Sequence, residues 1–346
     1  MSRSVVLPIP PAQASDPVIV VLHSDDLPPG LDDAVEGAAV RYATAADLAS
    51  ALPGADVLFV WDFTSDAVRP AWPAAETLRW VHTASAGVDR VTFPELLSSA
   101  VMLTNSRGVF DVPMAEYVLG AVLAFAKDLP GTLRQQNDRT WRHRETEQVA
   151  GRRAVVVGSG PIGRAIGRLL RAVGMRIHLV GRTERSDDPE FGMVHAQAAL
   201  PLLAPRTDYL ILAAPLTDQT RGMVDHALLD ALPCTARLIN VSRGPLVVTD
   251  DLVAALCEGR LAGAMLDVFD TEPLPADSPL WDAPGVVISP HMSGDVHGWR
   301  DELVTLFVEN LRRYFRGQPL HNVVDKTRGY VTDTGSSAAA RTGSPP

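Results

Sequence analysis

The chain has 346 residues, 46% apolar and 21% charged, with 27 prolines; this is a globular profile, and the length suggests two domains of about 150 residues each. Acidic residues outnumber basic ones 41 to 31, and the formal charge of −10 argues against nucleic acid and anionic membrane partners, whose phosphates call for surplus Lys and Arg. Cys234 and Cys257 are too few for a disulfide framework and lack CxxC spacing, so buried free thiols and a cytoplasmic location are expected.

The Pro- and Ala-rich residues 1–16 and the polar residues 331–346 have little to bury and are predicted to be flexible tails outside the fold. No signal-type apolar core opens the chain, and no apolar run approaches the roughly 20 residues that span a bilayer. From Pro17 to Ser106, the runs PVIVVL, DVLFVW, LRWVHTAS and VMLTNS alternate with helix-like segments. That alternation predicts an open α/β lobe of flavodoxin-like type over 17–105. Next, MAEYVLGAVLAF sets Met114, Val118, Ala121, Val122 and Phe125 on one helical stripe, suited to joining two lobes.

Six short apolar strands follow, AVVVG, IHLVG, YLILAA, ARLINVS, AMLDVF and GVVISP, separated by segments read as helical. They predict a Rossmann-type doubly wound parallel sheet over 106–294, inserted in the first lobe. A final helix, DELVTLFVENLRRYF, carries Leu303, Leu306, Phe307, Leu311, Tyr314 and Phe315 at i, i+3, i+4 spacing and is expected to return to the first lobe over 295–330.

The first of those strands runs into GSGPIG, where Gly158, Gly160 and Gly163 form GxGxxG ahead of an amphipathic helix. In that context the glycines serve a tight turn, backbone approach to a pyrophosphate and close helix packing, and the helix N-terminus adds amide donors. The second strand ends at Gly181 with Arg182 and Thr183 next, where an NAD site often has an acidic residue. A carboxylate there would repel a ribose phosphate. Gly181 is read as leaving space and Arg182, with Thr183 and Arg185, as pairing with the phosphate, so NADP(H) is favoured over NAD(H).

Three further strands end in polar segments: INVSRGPLVVTD, MLDVFDTEPLP and VISPHMSGD. In these motifs, with GSGPIG and the closing NLRRYFRGQPLHNVVD, the chain resembles the D-isomer-specific 2-hydroxyacid dehydrogenase family in its glyoxylate/hydroxypyruvate reductase-like branch, a resemblance that covers nearly all of residues 50–330. The resemblance implies NAD(P)H-dependent reduction of small 2-keto acids. Arg243 matches the family's substrate arginine, and Glu272 with His291 matches its acid/base pair. The implied cofactor contacts fall on Gly158, Gly160, Pro161, Ile162, Gly163, Arg182, Thr183, Ala214, Pro215, Val241, Asp267 and His291, with Asp267 reaching the nicotinamide carboxamide. The substrate contacts implied are Arg243, His291 and the backbone of Ala86, Gly87 and Val88 in SAGVD.

The family also implies a homodimer joined through the cofactor domains. Lys127 stands where the family often has arginine, and residues 1–50 match only loosely. Trp141 and Trp299 are expected to serve packing. No metal-ligand spacing occurs, and hydride transfer to a nicotinamide requires no metal. Two alternatives use the same residues: a dehydrogenase for a larger, aromatic or phosphonate 2-keto acid, or an NADP(H)-sensing corepressor-like protein, which the presence of Arg243, Glu272 and His291 disfavours.

Overall fold

The structure is a computed structural model that describes residues 17–35 and 37–331. Apart from Val331, both predicted tails lie outside the described residues. The chain divides into two compact units, one built from residues up to Arg107 and from Arg300 onward, the other from Gly108–Trp299. The return to the first unit thus begins at Arg300 rather than at residue 295.

The first unit holds a five-stranded parallel sheet of β1 (Val18–Leu22), β2 (Ala39–Ala43), β3 (Val57–Val60), β4 (Trp80–Thr83) and β5 (Met102–Thr104) in the flavodoxin-like order β2-β1-β3-β4-β5. Every residue of β3 and β4 is buried, the expected state of a parallel sheet covered on both faces. Full burial of each such Val or Leu contributes about 1.5–3 kcal/mol. β2 is an edge strand whose exposed and half-buried residues, including Arg41 and Tyr42, hide it from a search for apolar runs. The helix Trp299–Phe315 buries Leu303, Phe307, Leu311 and Tyr314, as its periodicity predicts, and leaves Leu306 and Phe315 only half-buried. Phe307 stacks on Phe59 at 4.1 Å and on Trp80 at 5.3 Å, so this helix covers the first unit's own sheet.

In the second unit, β6 (Arg153–Val157), β7 (Arg176–Gly181), β8 (Arg185–Asp188), β9 (Gly192–Ala196), β10 (Tyr209–Leu212), β11 (Arg237–Asn240), β12 (Gly263–Leu266) and β13 (Val286–Ile288) form one sheet in the order β13-β12-β11-β10-β6-β7-β9-β8. All neighbours are parallel except β8, which pairs antiparallel with β9. This is a Rossmann-like order extended at both edges. The expectation of six strands is corrected to eight, because β8 and β9 occupy a stretch read as helical. Alternate residues feed the two faces: Val155, Leu210, Leu238 and Leu266 enter one core, and Val156, Ile211, Ile239 and Met265 the other.

The helix Asp111–Ala126 belongs to this second core, where Ala115, Val118, Ala121 and Val122 pack beside Ile166 and Leu170 of the helix Pro161–Ala172. Of its predicted stripe, Met114 and Phe125 are only half-buried. Both cysteines are free and exposed, correcting the expectation of buried thiols. Cys234 lies in the turn before β11, and Cys257 ends the helix Thr249–Cys257, whose inward face is supplied by Leu252, Ala255 and Leu256. Trp141 is fully exposed, while Trp299 packs its ring 6.0 Å from Phe110. Lys127 donates to the Glu147 carbonyl at 2.6 Å. Among the described residues, no helix is long and apolar enough to cross a membrane.

Candidate active site

Parallel strands all end on one edge of a sheet, so side chains just past those ends can converge on a ligand. The second unit's candidate residues occupy that edge: Gly158–Gly163 after β6, Arg182 and Thr183 after β7, Ala214 and Pro215 after β10, Val241 and Arg243 after β11, Asp267 after β12 and His291 after β13.

The glycine loop has the geometry its spacing predicts. Gly158 has φ +122°, and a side chain there would meet the Ala213 carbonyl; a side chain at Gly163 would meet the Gly158 carbonyl. Helix and loop therefore approach at a distance only glycine permits. Gly160 caps the helix Pro161–Ala172 without a side-chain cap, Pro161 fills a position that needs no N–H, and nothing lies within 4 Å of where a Gly160 side chain would project. An uncapped helix N-terminus beside open space fits a pyrophosphate, so the residues present suit a dinucleotide.

Gly181 has a different reason for being glycine from the one expected. Its side chain would come within 2.6 Å of Ser159 Oγ, so the space beside β7 is taken by the phosphate loop rather than left free. Arg182 and Thr183 follow as exposed residues. Arg185, at the start of β8, donates from Nη2 to Ser159 Oγ at 3.0 Å, which ties a cation to the glycine loop. Arg164 anchors the same hairpin through Asp188 at 3.1 Å and Glu190 at 3.1 Å. Hydrogen bonds from that guanidinium, aided by the amides of Phe191 and Glu190, outweigh burial and hold the Asp188 carboxyl well below the usual carboxylate range.

At the other strand ends, His291 Nδ1 lies 2.8 Å from Glu272 Oε2, and the second carboxylate oxygen accepts from the Phe269 amide at 2.9 Å. Burial opposes ionisation of Glu272. Its bonds with His291 and Phe269 and the charges of His291 and Arg243 prevail, so its pKa is lowered. The influence of Arg243 on Glu272 brings all three predicted catalytic residues into one electrostatic neighbourhood. Arg243 sits in a turn clamped by Asn240, whose side chain donates to the Arg243 carbonyl at 2.9 Å and accepts from the Ser242 amide at 3.1 Å. The Ser242 hydroxyl in turn donates to the Ala214 carbonyl, joining the ends of β10 and β11.

Asp267 is completely buried, and its carboxylate accepts from Ser289 Oγ at 2.6 Å and from the amides of Met292 and Ser293, each at 2.9 Å. It thereby fastens the segment that carries His291. Sequence reasoning singled out Asp267 but missed Ser159, Asn240, Ser289 and Tyr117, whose hydroxyl bonds that of Ser289. The signal available was position, since Asn240 and Ser289 sit where strands end.

In the first unit, Ala86, Gly87 and Val88 follow β4, again past a strand end. The Ala86 carbonyl accepts from Asn105 Nδ2 at 2.6 Å, that of Gly87 from Ser85 Oγ at 2.6 Å, and that of Val88 from the Val91 amide at 3.1 Å. All three carbonyls thus have partners within the unit.

Residues 119–293 match the family described as D-isomer specific 2-hydroxyacid dehydrogenase, NAD binding domain. Among curated relatives, a glyoxylate/hydroxypyruvate reductase of Arabidopsis thaliana is 32% identical over 246 residues, covering 70% of this chain and 77% of the relative. A glyoxylate reductase of Korarchaeum cryptofilum is 32% identical over 260 residues, covering 73% and 78%. Among solved structures, an NADPH-dependent glyoxylate/hydroxypyruvate reductase of Sinorhizobium meliloti in complex with NADP and sulfate aligns with TM-score 0.78 and 30% identity, over 91% of this chain and all of that one. A D-isomer specific 2-hydroxyacid dehydrogenase of Xanthobacter autotrophicus in complex with NADPH and MES aligns with TM-score 0.77 and 31% identity, again over 91% and 100%. With its strand order, glycine loop and Glu272–His291 pair, the chain belongs to the D-isomer-specific 2-hydroxyacid dehydrogenases, NAD(P)-dependent oxidoreductases.

Proposed function

We propose that this protein reduces small 2-keto acids of the glyoxylate and hydroxypyruvate type to 2-hydroxy acids, with NADPH preferred over NADH. The observation that carries this reading is the His291–Glu272 pair, 2.8 Å apart at the strand ends that also bear Arg243. Because Glu272 accepts at Nδ1, the imidazolium presents Nε2–H to the substrate. From there it donates a proton to the keto oxygen during reduction, and in the reverse direction the neutral ring takes the proton back. Arg243 holds the substrate carboxylate and polarises the keto group. A nicotinamide cofactor supplies the hydride when bound. Gly158, Gly160, Pro161, Ile162 and Gly163 would receive its pyrophosphate, and Ala214, Pro215, Val241, Asp267 and His291 would line its nicotinamide side.

The NADPH preference rests on Arg182 and Thr183 directly after β7, on Arg185 held at the glycine loop, and on relatives solved with NADP or NADPH. A cytoplasmic setting is supported by two free, exposed thiols. A homodimer joined through the cofactor unit is supported by the exposed Leu129, Leu133 and Trp141 of that unit.

The test is initial rates of NADPH and NADH oxidation with glyoxylate and with hydroxypyruvate, in wild type and Arg182→Ala. Wild type should favour NADPH, and Arg182→Ala should lose that preference by about tenfold or more, the scale of one charge-assisted contact. Equal rates with both cofactors in wild type would remove the preference.

A further inference from the structure

We propose that Tyr117 is a positioning residue for His291, acting through Ser289 and Asp267; this rests on the reading of His291 as the proton donor. His291 has φ +52°, a left-handed conformation unusual for a residue with a side chain. A residue stays there only when its surroundings hold it. The surroundings can be traced. Asp267 accepts from the two amides that follow His291, those of Met292 and Ser293, while Ser289, two residues before it, donates its hydroxyl to the same carboxylate. The His291 amide itself donates to the Ser289 carbonyl at 3.1 Å. The turn is thus gripped on both sides of His291 by one buried carboxylate at the end of β12.

Tyr117 completes this arrangement from outside the sheet. Both oxygens of Asp267 are acceptors, so Ser289 must spend its single hydroxyl proton on Asp267. The bond between the two hydroxyls then has one direction: Tyr117 donates and Ser289 accepts. Tyr117 lies on the helix Asp111–Ala126, which is packed into the second unit's core, so the chain Tyr117–Ser289–Asp267 links a rigid helix to the turn bearing the acid/base histidine. A phenol is protonated at neutral pH, and burial raises the Tyr117 pKa further, so its hydroxyl is available as a donor. None of these three groups needs to touch the substrate. Their effect is to fix where the His291 ring stands relative to Glu272, and a displacement of about 1 Å in such a group can cost about a hundredfold in rate.

The variants are Tyr117→Phe, which keeps the ring and loses the hydroxyl, Ser289→Ala, and Ser289→Thr as the conservative replacement. Each is examined for NADPH-dependent glyoxylate reduction, for NADPH binding by fluorescence, and for amide exchange at Met292 and Ser293. We expect kcat to fall about tenfold in Tyr117→Phe and further in Ser289→Ala, with NADPH binding within about twofold of wild type and recovery in Ser289→Thr. Exchange at the two amides should quicken in both hydroxyl-deleting variants. Combined with His291→Asn, Tyr117→Phe should bring no further loss, since it acts through His291. An equal loss in that background would overturn the proposal, as would wild-type rates and exchange in both single variants. If His291→Asn alone reduces glyoxylate at the wild-type rate, the proton-donor reading itself fails. If His291→Asn is inactive while Tyr117→Phe and Ser289→Ala match wild type, only the positioning role fails.

Discussion

Two histidines in this chain meet opposite surroundings, and the contrast explains what each can do. His291 has a side chain 40% exposed and a carboxylate partner at 2.8 Å, the surroundings on which its proposed role as proton donor rests. His82, at the centre of β4, is completely buried beside Thr104, Phe59 and Phe307, and burial lowers its pKa to about 3. It is neutral in the folded protein, whereas the unfolded chain binds a proton near the ordinary value of 6.5. With the unfolded state binding more protons, the stability that His82 allows is complete above about pH 6.5. It declines as pH falls toward 3, by about 1.4 kcal/mol per pH unit. Unfolding free energies from urea titrations at pH 7 and pH 5 should therefore differ by on the order of 2 kcal/mol more in wild type than in His82→Gln, and parallel shifts in the two proteins would refute this assignment. At this scale Arg243, Glu272 and His291 stood out as candidates because each sits in a distinctive short motif. Ser289 and Tyr117 were not, because a serine and a tyrosine become informative only when a fold brings them together.

Elements with apolar cores were readable, and elements held by charge were not. The strands β6, β10 and β12 are buried along all or nearly all of their length, β7 and β11 over half or more, and β13 is half-buried, and each leaves a short apolar run in the sequence. The hairpin of β8 and β9 leaves no such trace. Its residues RSDD and GMVHA contribute only Asp188 and Val194 to the interior, and its shape comes from Arg164 reaching across to Asp188 and Glu190. The same hairpin carries Arg185 to the glycine loop, so a feature invisible as hydrophobic periodicity sets a cation beside that loop. Gly181 makes the same point. Its sequence position suggested room for a phosphate, while the structure fills that room with Ser159.

For the whole molecule, apolar surface and catalytic chemistry point to different measurements. The helix Leu129–Asn137 exposes Leu129 and Leu133, four residues apart on one face, and Trp141 follows on an extended segment that Arg144 pins to Asp128 at 2.6 Å. Exposed apolar groups on a pinned segment suit a partner surface more than a mobile loop. Light scattering should give twice the 37.1 kDa of one chain, reduced to a single chain by Leu133→Glu with Trp141→Glu; a monomeric wild type would contradict the dimer. The most direct test of the central claim is the initial rate of NADPH oxidation with glyoxylate in wild type, Arg243→Ala and His291→Asn, each first checked for NADPH binding. The account predicts reduction by wild type and a loss of about a hundredfold or more in both variants with cofactor binding retained. Wild-type rates in either variant would contradict it, by removing that residue from the chemistry.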